Sequence, residues 1–138
     1  MDLNLKGKKA VILGGTRGIG RAIAETLAGE GCDVAICARN GTQVAEAVMA
    51  LQGKGVQSTG ASVDVTDGTA LKTWIATAGE ELGGIDILVS NAGAMAQGND
   101  EAAWRQNFEL DVLGAVIAFE AAEPFWAKRL IAAAMQRL

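Results

Sequence analysis

The chain of 138 residues contains no His, no Tyr, a single Pro and only two Cys. Without His it lacks the side chain that most often serves as a base at neutral pH and most often ligates a metal. Cys32 and Cys37 stand five residues apart, a spacing that matches no zinc template, and both lie beside or within an apolar run. Reduced structural thiols of a cytosolic protein are therefore expected, and no metal. The opening Met1-Asp2-Leu3-Asn4-Leu5-Lys6 has no apolar run of signal-peptide length, and no later stretch approaches a membrane span. A cytoplasmic location and no membrane partner are the expectation. Net charge is −4, and the last fifteen residues hold three of the twelve basic side chains (Lys128, Arg129, Arg137) and none of the sixteen acids. An acidic body disfavours nucleic acid by like-charge repulsion, and three tail charges are too few to reverse that.

Half of the residues are apolar and 18 are Gly, a composition that builds one globular domain at this length. Short apolar runs alternate with amphipathic stretches. Strands are predicted at Lys8 to Leu13, Asp33 to Ala38, more weakly at Val56 to Val63, and at Ile85 to Val89. Helices are predicted from Ile19 to about Gly29, from Thr42 to Gln52, and from Asp67 or Gly68 to the Gly83-Gly84 stop. Four β–α repeats imply a parallel sheet with helices on both faces. From Glu101 to Glu123 one long helix is expected, with Trp104, Phe108, Val112, Ala115, Val116 and Phe119 returning every three or four residues. On general grounds that stripe reads as core more readily than as interface. Pro124 should end or kink the helix, and residues 124–137 should start another.

The chemistry is concentrated at Leu13-Gly14-Gly15-Thr16-Arg17-Gly18-Ile19-Gly20, between the first strand and the first helix. A pyrophosphate needs backbone N–H groups pointing at it and no side chains in the way. A helix N-terminus supplies the first, glycines the second. Gly14 suits the tight turn, Gly18 the close approach of phosphates, and Gly20 the packing of helix on strand. An unmodified ribose is usually held by an acid at the end of the second strand. Here that strand ends Cys37-Ala38, followed by Arg39-Asn40, with no acid. Arg39 offers a charged planar fork to a 2′-phosphate and Arg17 reaches from the other side, so NADP (NADPH) is favoured over NAD.

These residues resemble the short-chain dehydrogenase/reductase family, particularly its NADP-preferring members. The likeness rests on Gly14-x-x-x-Gly18-Ile19-Gly20 and continues in order. Asp64-Val65-Thr66 is similar to the family's segment beside the adenine, and Ser90-Asn91-Ala92-Gly93 to the motif ending its fourth strand beneath the adenosine ribose. Asp111-Val112-Leu113-Gly114 occupies the place of its helix-borne N-x-x-G. The likeness spans about residues 5–123 and implies an α/β, three-layer Rossmann-like fold with strand order 3-2-1-4 and a long C-terminal helical segment. It further implies a dinucleotide-binding domain over 1–123, with 124–138 as a helical tail of that same domain. The cofactor residues it implies are Gly14, Thr16, Arg17, Gly18, Ile19, Gly20, Ala38, Arg39, Asn40, Asp64, Val65, Asn91, Ala92 and Gly93.

Three departures bear on activity. Leu13 stands where the family usually has Thr, and Asp111 where it has the Asn tied to proton relay. The family's catalytic Ser and Tyr-x-x-x-Lys fall beyond the last residue, and Ser58, Ser62 and Ser90 lie in or beside strands, away from the catalytic Ser position. With no Tyr as proton donor, this chain is expected to bind NADP(H) without turnover and to contribute no catalytic residue of its own. An unpartnered fourth strand (Ile85, Ile87, Leu88, Val89) would leave an apolar edge, which Leu130, Ile131, Ala134, Met135 and Leu138 of the tail would cover. Edge and long helix together predict a homo-oligomer. The alternatives are a non-enzymatic nucleotide-binding or assembly module and a structural fold with a vestigial loop.

Overall fold

The computed structural model describes residues 2–93 and 96–136, and within these the side chains outside 129–134. Four strands, β1 (Lys9–Leu13), β2 (Asp33–Ala38), β3 (Ser58–Ser62) and β4 (Ile87–Ser90), pair in parallel in the order β3-β2-β1-β4. The parallel pairing is what the alternation implied, and the order is the Rossmann-like one that the family resemblance implied. β1 and β2 are apolar at nearly every position because both faces of the sheet are covered. Ala10, Ile12, Val34 and Ile36 point to one side, where α1 (Gly18–Gly29) and α2 (Gly41–Gln52) supply Ala24, Ala28, Val44, Ala47 and Leu51. Val11, Leu13, Ala35 and Cys37 point to the other, against Leu71, Trp74, Ile75, Ala78 and Leu82 of α3 (Gly68–Leu82). The strand starts are held together by polar ties: Lys9 pairs with Asp33, and the Lys9 N–H donates to Asp86 Oδ2 at 2.8 Å.

The third layer is completed by α4 (Glu101–Asn107), a π-helical turn (Phe108–Leu113) and α5 (Gly114–Gln136). Three expectations change here. Pro124 lies inside α5, so the helix does not stop there and residues 124–136 continue it instead of starting afresh. Proline removes one N–H, leaving the Glu120 carbonyl without its usual helical donor. Both residues are exposed, so water can serve that carbonyl. The Trp104 stripe is not core: Trp104 is 68% exposed, Phe108 52%, Val116 47% and Phe119 53%. α4 buries Ala103, and α5 buries Ala118 and Ala122 together with partly covered Ile117, Ala121 and Phe125. Small residues let α5 approach α3 closely; a Cβ on Gly79 would stand 2.4 Å from Cζ of Phe125. Finally, β4 begins at Ile87, and Ile85 is fully buried ahead of it.

β4 pairs with β1 alone among the described strands, so it lies at the sheet edge, with Ile87, Leu88 and Val89 half-buried. Among the described side chains of the C-terminal stretch, Phe125 and Trp126 pack against the core, whereas Met135 is 69% exposed. The side chains of Leu130, Ile131, Ala134 and Leu138, expected from sequence to cover the edge, lie outside the described residues. Within the described residues, no helix is long and apolar enough to cross a membrane.

Candidate functional site

The C-terminal ends of all four strands open on one side of the sheet. β1 runs out at Leu13 into Gly14, whose φ of +76° is a left-handed turn that disfavours side chains. A Cβ there would also stand 3.1 Å from the Ala92 nitrogen, so the loop passes close against the end of β4. The Gly14 N–H donates to the Cys37 carbonyl at 2.9 Å, and the Asn91 Nδ2 donates to the Gly14 carbonyl at 3.2 Å. Three strand ends are thereby joined at one residue. Gly20 sits behind this junction: a Cβ on it would fall 2.0 Å from the Gly14 oxygen and 2.5 Å from Asn91 Nδ2. Only glycine lets α1 lie so close.

Gly18 is different. Its φ is +57°, and an added Cβ would meet nothing within 4 Å, because the residue faces open space. The residue before it, Arg17, is the N-cap of α1 and makes no side-chain cap hydrogen bond. The other α-helices whose caps are described are closed by side chains: Asn40 accepts from the Gln43 N–H, Asp67 from Ala70 and Asp100 from Ala103. The first N–H groups of α1 therefore face the cleft unclaimed by a cap, where the positive end of the helix dipole favours an anion.

These features border a cleft of about 840 Å³, within the range of small-molecule sites. All the predicted cofactor residues except Gly20 line it: Gly14, Thr16, Arg17, Gly18, Ile19, Ala38, Arg39, Asn40, Asp64, Val65, Asn91, Ala92 and Gly93. Gly20 supports the loop from behind. Asp64, after β3, accepts from the Thr66 hydroxyl at 2.7 Å and the Thr66 N–H at 3.0 Å. Those two bonds, with the Arg39 charge nearby, hold its carboxyl below the usual carboxylate range. Burial pushes the Cys37 thiol up to about 12, so it is neutral at physiological pH.

Six lining residues lie outside the set predicted from sequence: Cys37, Gln43, Val63, Thr66, Gln106 and Leu110. Cys37, Val63 and Thr66 adjoin predicted positions and needed only wider motif limits. Gln106 and Leu110 come from α4 and the π turn, and no local signal announces that this segment crosses over the strand ends. The π turn adds one residue to a helical turn and so re-aims the start of α5. Asp111 lies within it, with Oδ1 3.3 Å from where a Cβ on Gly93 would stand. Among the described residues, no cluster of three or more His, Cys, Asp or Glu is placed to hold a metal.

Comparison with known proteins agrees with this architecture. The family model described as short chain dehydrogenase matches residues 8–132. The isoepoxydon dehydrogenase of Penicillium expansum is 33% identical over 131 residues, which is 93% of this chain and 51% of that protein. The 3-oxoacyl-[acyl-carrier-protein] reductase of Escherichia coli strain K12 is 40% identical over 93 residues, 66% of this chain and 36% of the reductase. Among solved structures, L-sorbose reductase from Gluconobacter frateurii, complexed with NADPH and L-sorbose, superposes with a TM-score of 0.87 at 34% identity. That match covers 94% of this chain and 51% of the reductase. NAD+-bound xylitol dehydrogenase gives 0.84 at 25% identity, over 91% of this chain and 50% of the other. The chain belongs to the short-chain dehydrogenase family, a family of oxidoreductases. It spans about half the length of the relatives it matches across most of its own length.

Proposed function

We propose that this stretch of chain binds NADP(H) as the dinucleotide-binding portion of a short-chain dehydrogenase-type oxidoreductase, and that by itself it does not complete hydride transfer. The observation that carries the reading is a single cleft bordered by the uncapped start of α1, the glycine loop and two arginines. Pyrophosphate would rest on the Gly14–Gly20 turn, with adenosine between Asp64-Val65 and Asn91-Ala92-Gly93. Arg17 and Arg39 both line the cleft, and the end of β2 carries no acid to hold an unmodified 2′-hydroxyl. That combination favours a 2′-phosphate. The dinucleotide-binding domain would run over 1–123, with 124–138 as a tail of that same domain whose described part continues α5, and the cytoplasm would be its place. The nicotinamide would supply the hydride; the residues of the cleft bind and orient, and none of the 138 is a Tyr to donate the matching proton. Fluorescence titration with NADPH and NADH in parallel tests the reading. We expect NADPH to bind at least about tenfold more tightly, about 1.4 kcal/mol. Failure of both nucleotides to bind at about millimolar concentration would leave the loop a vestige.

A second property is carried by a separate observation. Trp104, Phe108, Val112, Leu113, Val116 and Phe119 are all at least 40% exposed along one continuous helical segment. Contiguous apolar surface of this kind marks association. We propose that two copies pair through it as a homo-oligomer, which sedimentation velocity over a concentration series would reveal. An assembly module without catalysis is the alternative that the same surface supports.

A further inference from the structure

We propose that Ser62 is a positioning residue for nucleotide selection: its hydroxyl fixes the backbone that presents Arg39 to a 2′-phosphate. The inference rests on the NADP(H) reading above. β2 and β3 pair through Ala38 and Ser62, and the Val63 N–H donates to the Ala38 carbonyl at 3.0 Å. Arg39 is the next residue, one step past the end of β2. There the Ser62 Oγ donates to the Arg39 carbonyl oxygen at 2.7 Å, a contact between residues 23 apart in sequence. The hydroxyl thus extends the tie between β2 and β3 by one residue, to the peptide that carries the guanidinium. On the far side, Asn40 is held as the α2 cap through its bond from the Gln43 N–H at 3.1 Å.

Arg39 is therefore anchored before and after its Cα while its exposed side chain lines the cleft. Asp64 lines the same cleft, so the guanidinium and that carboxylate share the nucleotide side. Ser62 does not line that cleft; it borders a shallow groove between α2 and β3. It therefore acts through Arg39 and not by touching the ligand. A forked, bidentate contact depends on direction, and an anchored backbone loses less freedom when the phosphate arrives.

The test is equilibrium titration of NADPH and NADH against wild type, Ser62→Ala, Ser62→Thr, Arg39→Ala and the Ser62→Ala/Arg39→Ala double variant. Ser62→Ala should weaken NADPH about threefold to tenfold, the range of one hydrogen bond, and leave NADH within about twofold. Ser62→Thr keeps the hydroxyl and should restore selectivity. In the Arg39→Ala background, Ser62→Ala should change nothing further, because the two act as one unit. Equal weakening of both nucleotides, or an effect that persists without Arg39, overturns the role. A strong wild-type preference for NADPH that Ser62→Ala leaves intact overturns the role alone. A wild-type ratio near one overturns the 2′-phosphate reading and this inference with it.

Discussion

Replacing Gly20 with Ala separates the packing of the glycine loop from its proposed binding. The added Cβ would stand 2.0 Å from the Gly14 oxygen, 2.9 Å from the Gly14 carbonyl carbon and 2.5 Å from Asn91 Nδ2. Two of these are backbone atoms and cannot swing aside as a side-chain tip would. Relief requires either displacing α1 from β1 or breaking the Asn91-to-Gly14 hydrogen bond. Overpacking of this kind costs about 1–3 kcal/mol and the lost bond about another 1 kcal/mol. Alanine returns about 1 kcal/mol through its better helix propensity at a position inside α1. The net loss is about 2 kcal/mol, which for a domain of this size lowers Tm by about 6–8 °C. Gly18→Ala is the control. Its Cβ meets nothing within 4 Å, so only the positive φ opposes it, at about 1–2 kcal/mol. Because the new methyl faces the cleft, its larger effect should be on nucleotide affinity. Calorimetry of both variants, with NADPH titrations on each, checks the division. A Gly20→Ala protein that melts within about 1 °C of wild type would refute the close approach of α1 to the Gly14 carbonyl.

The charges and thiols give further outcomes. Arg39→Asp should abolish the NADPH preference and narrow the gap between the nucleotides by about tenfold or more, and added salt should weaken NADPH more than NADH in the wild type. The Asp64 carboxyl is held below its usual range, so its contribution is present above the unfolded pKa and fades as pH falls through the folded one. Asp64→Asn should therefore lower Tm slightly at pH 7, and the difference should shrink as pH falls below about 4, the ordinary carboxylate range. Cys37 is pushed up to about 12 and Cys32 is also raised, mainly by burial. Both should resist a thiol reagent at about pH 8 in the native protein and react together in denaturant. A charged residue in the exposed stripe, Val116→Glu, should shift sedimentation toward the monomer without changing Tm by more than about 2 °C.

Much of the fold is legible in the sequence because its signals are local. The apolar runs at β1 and β2 are buried on both faces, so they read as strands without reference to partners. Asp67 and Gly83 bracket α3 with a side-chain cap and a left-handed stop, both of which are residue-type requirements. The glycine loop is equally readable: Gly14 adopts the turn conformation that glycine favours, and Gly20 occupies a space that excludes Cβ. Arg39 can be singled out because a missing acid at the end of β2 is a feature of composition. The hydroxyl tie from Ser62 cannot, since the register between β2 and β3 decides which side chain reaches that carbonyl.

The long helix shows where periodicity stops informing. Trp104, Phe108, Val112, Val116 and Phe119 recur at helical spacing, and so do Ala118, Ala121, Ala122 and Phe125 on another side. Hydropathy weights the first set, which for that reason reads as core. The close approach of α5 to α3 at Gly79 instead selects the face with the smaller side chains. A helix seated on a bulky stripe would stand farther from α3 and leave the contact between Phe125 and Gly79 unmade. What a helix buries is thus set by the surface it meets as well as by its own apolar content. Pro124 obeys the same logic: its interruption of hydrogen bonding is tolerated on an exposed side while Phe125 and Trp126 keep the next turn docked. The helix continues because packing on one face outweighs a single missing bond on the other.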